Sequence, residues 1–307
     1  MDTIKLKSGE CFDGNNEIYK DTQIRVCGKD ITIKNTVIDN DGICIYSNYN
    51  CSNLKIENCT FISKSNNCIK IIADNLDSVI DNITFDGCKL YFSRIGMELQ
   101  NHKNENEKIK NITIKNCVFE GFADSTSYRY GISLSGYGRY VSINDCIFNC
   151  EKGIELVGFS NVIIEGNKID GNKETIISSN SRPMDNIHIL NNKLNGKLFL
   201  YGLSDSVING NEISCSYVEI KKSKTTTLNG NEIESTGHYS VMLNDAHDNI
   251  VKENNITQKS KSNWSVIRCY GSDSTNNVIT KNTITREKKG GKLYDEYNGA
   301  HDNKFSN

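Results

Sequence analysis

The chain has 307 residues, a formal net charge of -2, 36% hydrophobic residues and 24% charged residues. A balance this close to neutral is not that of a dedicated nucleic-acid binder, which carries a strong basic excess, and no apolar run approaches the ~18 residues needed to span a bilayer. One proline against 42 asparagines is unlike the proline-rich composition of most disordered chains and leaves a soluble, β-leaning protein.

Residues 1–30 read as a first, irregular coil, with Ile4, Leu6, Phe12, Ile18, Ile24 and Val26 as its apolar positions. The first 14 residues are polar and mixed in charge, which is not the pattern of a secretory signal. Cytoplasmic synthesis is therefore expected.

From Ile31 onward one block recurs: apolar-x-apolar-x-(Asn/Gly/Asp)-(Cys/Asn/Thr)-x-apolar. It reads ITIKNTVI from Ile31, LKIENCTF from Leu54, ITFDGCKL from Ile83, ITIKNCVF from Ile112, VSINDCIF from Val141 and VIIEGNKI from Val162. IHILNNKL from Ile187 and SVINGNEI from Ser206 follow, with looser copies from Thr226, Asn249 and Asn277. The sixth position is Thr36, then Cys59, Cys88, Cys117 and Cys146, then Asn167, Asn192, Asn211, Asn231, Asn254 and Asn282. Successive copies lie 19 to 29 residues apart. A period of that size signals a solenoid. Apolar residues at every second position make its elements strands, not helices.

A further strand follows each block: GICI at Gly42, CIKI at Cys68, GMEL at Gly96, GISL at Gly131 and GIEL at Gly153. KLFL at Lys197, YVEI at Tyr217 and SVML at Ser240 are weaker copies. Each coil thus carries at least two strands, and coils stack in parallel at about 4.8 Å. Stacking sets like residues above one another. An asparagine at the sixth position can then satisfy buried backbone groups and its neighbours' amides, where a cysteine fills the same space as a small hydrophobe.

No linker or change of composition interrupts the pattern. The reading is one all-β domain over 1–307, with 286–307 as the C-terminal coil and tail. The longest inserts fall at 101–111, 120–131 and 286–298.

These repeats and their Asn ladder resemble the right-handed parallel β-helix, pectin-lyase-like superfamily, over about residues 20–305. That superfamily includes lyases, hydrolases, epimerases and phage tailspikes or polysaccharide depolymerases, so the fold does not fix the function. The resemblance implies a polysaccharide partner lying along one exposed sheet. Its tailspike members imply a homotrimer associated with a virion. The enzyme signatures Asn-Thr-Asp, Gly-His-Gly, Arg-Ile-Lys, Arg-x-Pro-x-x-Arg and Asp-Pro-His are absent; the single proline sits in Ser181-Arg182-Pro183-Met184-Asp185-Asn186.

On the strand after each block, the outward position reads Cys44, Lys70, Glu98, Ser133 and Glu155, continuing as Ile177, Phe199, Glu219 and Met242. Glu98 and Glu155 fall two coils apart, about 9.6 Å between backbones. Inverting glycosidases space their carboxyls at about 6.5 to 9.5 Å, one as general acid and the other as the base that activates water. Glu98 and Glu155 are the catalytic candidates. The alternative is a pair of surface carboxylates on a solvated sheet, with Lys70 pairing Glu98.

Arg94, Arg129 and Arg139 fall in the same stretch, as do Tyr91, Tyr128, Tyr130, Tyr137 and Tyr140. Tyrosine faces stack on sugar rings and arginine forks bind carboxylates. Arg94, Tyr128, Arg129, Tyr130, Tyr137, Arg139 and Lys70 are the substrate-binding candidates; ordinary loop-base tyrosines are the alternative. The twelve cysteines include no Cys-x-x-Cys pair and the five histidines are scattered, so structural thiols are expected, with no metal and no cofactor. Trp264, the only tryptophan, reads as an edge-packing residue. A non-enzymatic scaffold or protein-interaction solenoid is the alternative function.

Overall fold

The computed structural model describes residues 1–73, 78–101, 108–122, 129–178 and 182–306. Every paired strand among them runs parallel to its neighbours, one coil away, which makes the chain an all-β parallel β-helix. The chain divides into two compact units, Met1–Val162 and Ile163–Asn307.

Each coil has three strands. The recurring block supplies two of them, as in Ile31–Lys34 and Val37–Asn40, and the GMEL-type segment is the third, as in Ile95–Asn101. The block bends at its fifth position. There the chain is left-handed at Asn35, Asn58, Gly87, Asn116 and Asp145, with φ of 50°, 52°, 64°, 54° and 52°. Asparagine, aspartate and glycine tolerate that conformation, which explains their column in the sequence.

In the first unit the inward columns of the first strand are Ile31, Leu54, Ile83, Ile112, Val141 and Ile33, Ile56, Phe85, Ile114, Ile143. All of these are buried. Behind the corner Thr36, Cys59, Cys88, Cys117 and Cys146 stack in the interior. Their thiols point at backbone carbonyls, as Cys59 Sγ does at Glu57 O (3.1 Å). The cysteines are all free, and ten of the twelve are buried. Gly96 and Gly131 make room for a neighbouring aromatic column. A Cβ at Gly131 would lie 2.5 Å from Phe148 Cδ1, and Phe148 stacks on Phe119 with ring centroids 4.6 Å apart.

In the second unit the same interior position is an asparagine ladder. Nδ2 of Asn167, Asn192, Asn211, Asn231 and Asn254 each donates to Oδ1 of the next, at 2.9 to 3.0 Å. A second ladder, invisible in the sixth-position column, runs through Thr226, Asn249, Asn277 and Asn303. It serves the corner between the third strand and the next first strand, where Asp248, Asn276 and Asp302 are left-handed.

Candidate functional site

The third strands of the first unit set one outward column. Its register is Arg25, Tyr46, Lys70, Glu98 and Ser133, one residue per coil. Tyr46, not Cys44, faces outward beside Lys70. Cys44 is buried with its Sγ on Ile62 O at 3.3 Å. The sequence motif GICI begins two residues before the position equivalent to Cys68 in CIKI, so alignment on Gly42 slips the strand by two residues. A shift of two keeps the same face only on a straight strand, and here Cys44 sits at the turn into it.

Glu98 holds two donors on one oxygen: Lys70 Nζ lies 3.0 Å from Oε2 and Asn67 Nδ2 donates to it at 2.8 Å. Asn67 is buried and its Oδ1 has no hydrogen-bond partner among the described residues. In the next coil Ser133, 6% exposed, donates its hydroxyl to Glu155 Oε2 at 2.6 Å. Alternation on a parallel strand thus brings Lys70, Glu98, Ser133 and Glu155 into one line. Asn67 was not among the sequence candidates; it lies in the turn before its strand, where alternation gives no signal.

The arginine–tyrosine cluster does not form one patch. Arg94 is exposed just before the Glu98 strand, and its carbonyl receives the Tyr130 N–H at 3.1 Å. Arg129 packs inward, Nε 3.7 Å from Glu151 Oε2, with Nη1 donating to the Phe122 carbonyl. Tyr130 lies under Lys152, whose Nζ is 5.2 Å from the ring centroid. These three flank the start of the third strand. Tyr137 follows its end, beyond Gly136 with φ of 129°. Arg139 belongs to the next first strand, in register with Lys110, and covers the Tyr140 ring at 5.1 Å. Tyr91 stands on the second strand opposite Glu120. Tyr128 lies outside the described residues.

The fold and the matching families agree. Residues 78–197 match the family described as right handed beta helix region, and residues 198–307 match the one described as periplasmic copper-binding protein (NosD). The chain is a right-handed parallel β-helix. Among curated proteins none matches the sequence. Solved structures that it resembles include DFA-IIIase from Arthrobacter chlorophenolicus A6 in complex with GF2, at 10% identity and TM-score 0.60, covering 83% of this chain and 84% of that one. PfbA, a surface adhesin of Streptococcus pneumoniae, is 14% identical with TM-score 0.55, covering 94% and 83%. The A-module of the mannuronan C-5 epimerase AlgE6 of Azotobacter vinelandii is 11% identical with TM-score 0.54, covering 99% and 88%.

Among the described residues no three His, Cys, Asp or Glu side chains converge. His247 and His301 each hold their neighbouring aspartate, Asp248 and Asp302, through Nδ1 at 2.8 Å. His238 packs on Trp264, and Cys215 and Cys269 are interior. Among the described residues no helix is long and apolar enough to cross a membrane.

Proposed function

We propose that this β-helix engages a polysaccharide along the outward column of its first unit, and hydrolyses it there. The observation that carries the reading is the line Lys70, Glu98, Ser133, Glu155, with two carboxylates one serine apart and each held by a donor. Lys70 gives Glu98 a full positive neighbour, whereas Ser133 gives Glu155 only a hydroxyl dipole. Of such a pair one carboxylate activates water and the other protonates the leaving oxygen. Arg94 and Tyr130 flank the strand start, where they can hold an anionic group and a sugar face.

One similar structure supports the substrate class: it is a module of an epimerase of mannuronan, a polysaccharide. A bacterial surface glycan is the substrate we propose. A virion-borne homotrimer is the assembly that the tailspike resemblance suggests, tested by sedimentation. The reading is tested by reducing-end release from a panel of capsular and wall polysaccharides. A second reading is a non-enzymatic binding solenoid. It is favoured by the partners that Glu98 and Glu155 already have within the chain, and it predicts capture of a partner without release.

A further inference from the structure

In the second unit the outward column of the third strands runs Ile177, Phe199, Glu219, Met242, Arg268 and Asp295. Two ion pairs are sunk into it. Glu219, 6% exposed, accepts Lys197 Nζ at 3.2 Å and Asn244 Nδ2 at 3.1 Å. Arg268, 7% exposed, grips Asp295 through Nε at 3.0 Å and Nη2 at 2.7 Å, while Ser265 Oγ donates to Asp295 Oδ1 at 2.5 Å. Each cation is matched by its own carboxylate.

Rings surround these pairs. Lys197 Nζ sits 4.3 Å from the Tyr217 ring centroid, and Tyr217 meets Tyr239 edge-on at 4.8 Å. Tyr239 faces Trp264 at 6.1 Å and 21°. The Arg268 guanidinium lies over both Trp264 and Tyr297, at 4.5 and 4.8 Å. Yet Trp264 is 46% and Tyr297 55% exposed, so the rings keep a free surface. Trp264 is therefore more than edge packing.

We propose that this face is a second glycan-binding site and that its ligand is an uncharged sugar chain. The inference rests on the carbohydrate reading above but uses none of the first unit's residues. Aromatic faces present themselves to the C–H faces of sugar rings. Arg268 holds Asp295 through Nε and Nη2, which leaves Nη1 with no hydrogen bond among the described residues and free to donate to a sugar hydroxyl. Burial pushes the Tyr239 hydroxyl well above its ordinary value, so it stays protonated and can also donate. A uronate carboxylate would meet Glu219 and Asp295 as like charges beside cations that are already paired, at a partly desolvated surface where such juxtaposition is costly.

Trp264 is the only tryptophan, so its emission reports this face alone. The full chain is titrated with cellohexaose, maltohexaose, laminarihexaose, xylohexaose, mannohexaose, chitohexaose and hexagalacturonate at low salt. At least one neutral hexaose is expected to shift Trp264 emission to shorter wavelength, saturably, while hexagalacturonate does not. Tyr297→Ala then raises Kd about tenfold; Tyr297→Leu, which keeps most of the volume, does the same and controls for loss of fold. A stronger response to hexagalacturonate than to every neutral sugar overturns the proposal, and so does the absence of a saturable shift with any neutral hexaose. Glycan release without a Trp264 response removes this inference alone. A Trp264 response without release removes the hydrolytic reading alone.

Discussion

Ser133 and Glu155 lie in adjacent coils and are joined by a 2.6 Å hydrogen bond from the serine hydroxyl to Oε2. Only a parallel stack holds these two side chains face to face across 22 residues of sequence. Ser133→Ala removes the donor but fits the space. It is expected to lower turnover by about tenfold to a hundredfold, with a stability loss of only ~1 kcal/mol. Initial rates and a urea melt on the same preparation check both numbers; a variant with unchanged rate removes Ser133 from the site.

The asparagine ladder makes a sharper stability prediction. Asn192 Nδ2 donates to Ile164 O at 2.8 Å and Asn211 Oδ1 at 3.0 Å, while its own Oδ1 accepts the Asn167 N–H at 2.9 Å. Asn192→Leu leaves those interior groups unpaired, at about 1–3 kcal/mol for each buried group so orphaned. A drop of several degrees in Tm is expected. Unchanged melting would show that water or a shifted backbone takes the amide's place.

Gly131→Ala tests the core of the first unit. The added methyl would meet Phe148 Cδ1 at 2.5 Å and Gly153 O at 2.8 Å. Backbone and a ring stacked on Phe119 cannot both yield cheaply, so a loss of about 1–3 kcal/mol is expected. Chemical denaturation measures it, with Gly9→Ala as a comparison, since nothing lies within 4 Å of a Cβ there but φ is 82°.

Buried thiols predict the alkaline limit of the fold. Burial pushes Cys51, Cys150, Cys215 and Cys269 from the usual 9.0 up to about 12. Because the folded value is raised, the stability they contribute is fully present below pH 9. It is lost as pH rises from 9 towards 12, where the unfolded chain ionises first. Midpoints of urea unfolding should stay level to about pH 9 and then fall, less steeply in Cys51→Ala. In native protein at pH 8 a thiol reagent should label Cys11, which is exposed, and spare the buried ten.

The repeat was legible because stacking forces like residues into like places, and the sixth-position column Cys59 to Asn282 is buried throughout. The fifth-position column was equally visible, yet its meaning as a left-handed corner appears only with φ, so two strands of the block read as one. Cys44 falls off the outward column because it lies in the turn just before a strand that starts at Ile45. The arginine–tyrosine cluster was dense in sequence, but a coil turns every few residues. Tyr130 and Arg139 are near in number, yet Tyr130 stands beside Arg94 at the start of a third strand and Arg139 on the first strand that follows. The face around Arg268 was the least legible. Its rings, Tyr217, Tyr239, Trp264 and Tyr297, come from four coils and meet only by stacking.

The most direct measurement is reducing-end release by wild type beside Glu98→Gln and Glu155→Gln, on a panel of bacterial capsular and wall polysaccharides. Both substitutions keep the shape of the side chain, so melting should stay within about 1 kcal/mol of wild type. Release by wild type that disappears in both variants is the expected result. Undiminished release in either variant, or none from any glycan in wild type, contradicts hydrolysis at the Glu98–Glu155 column.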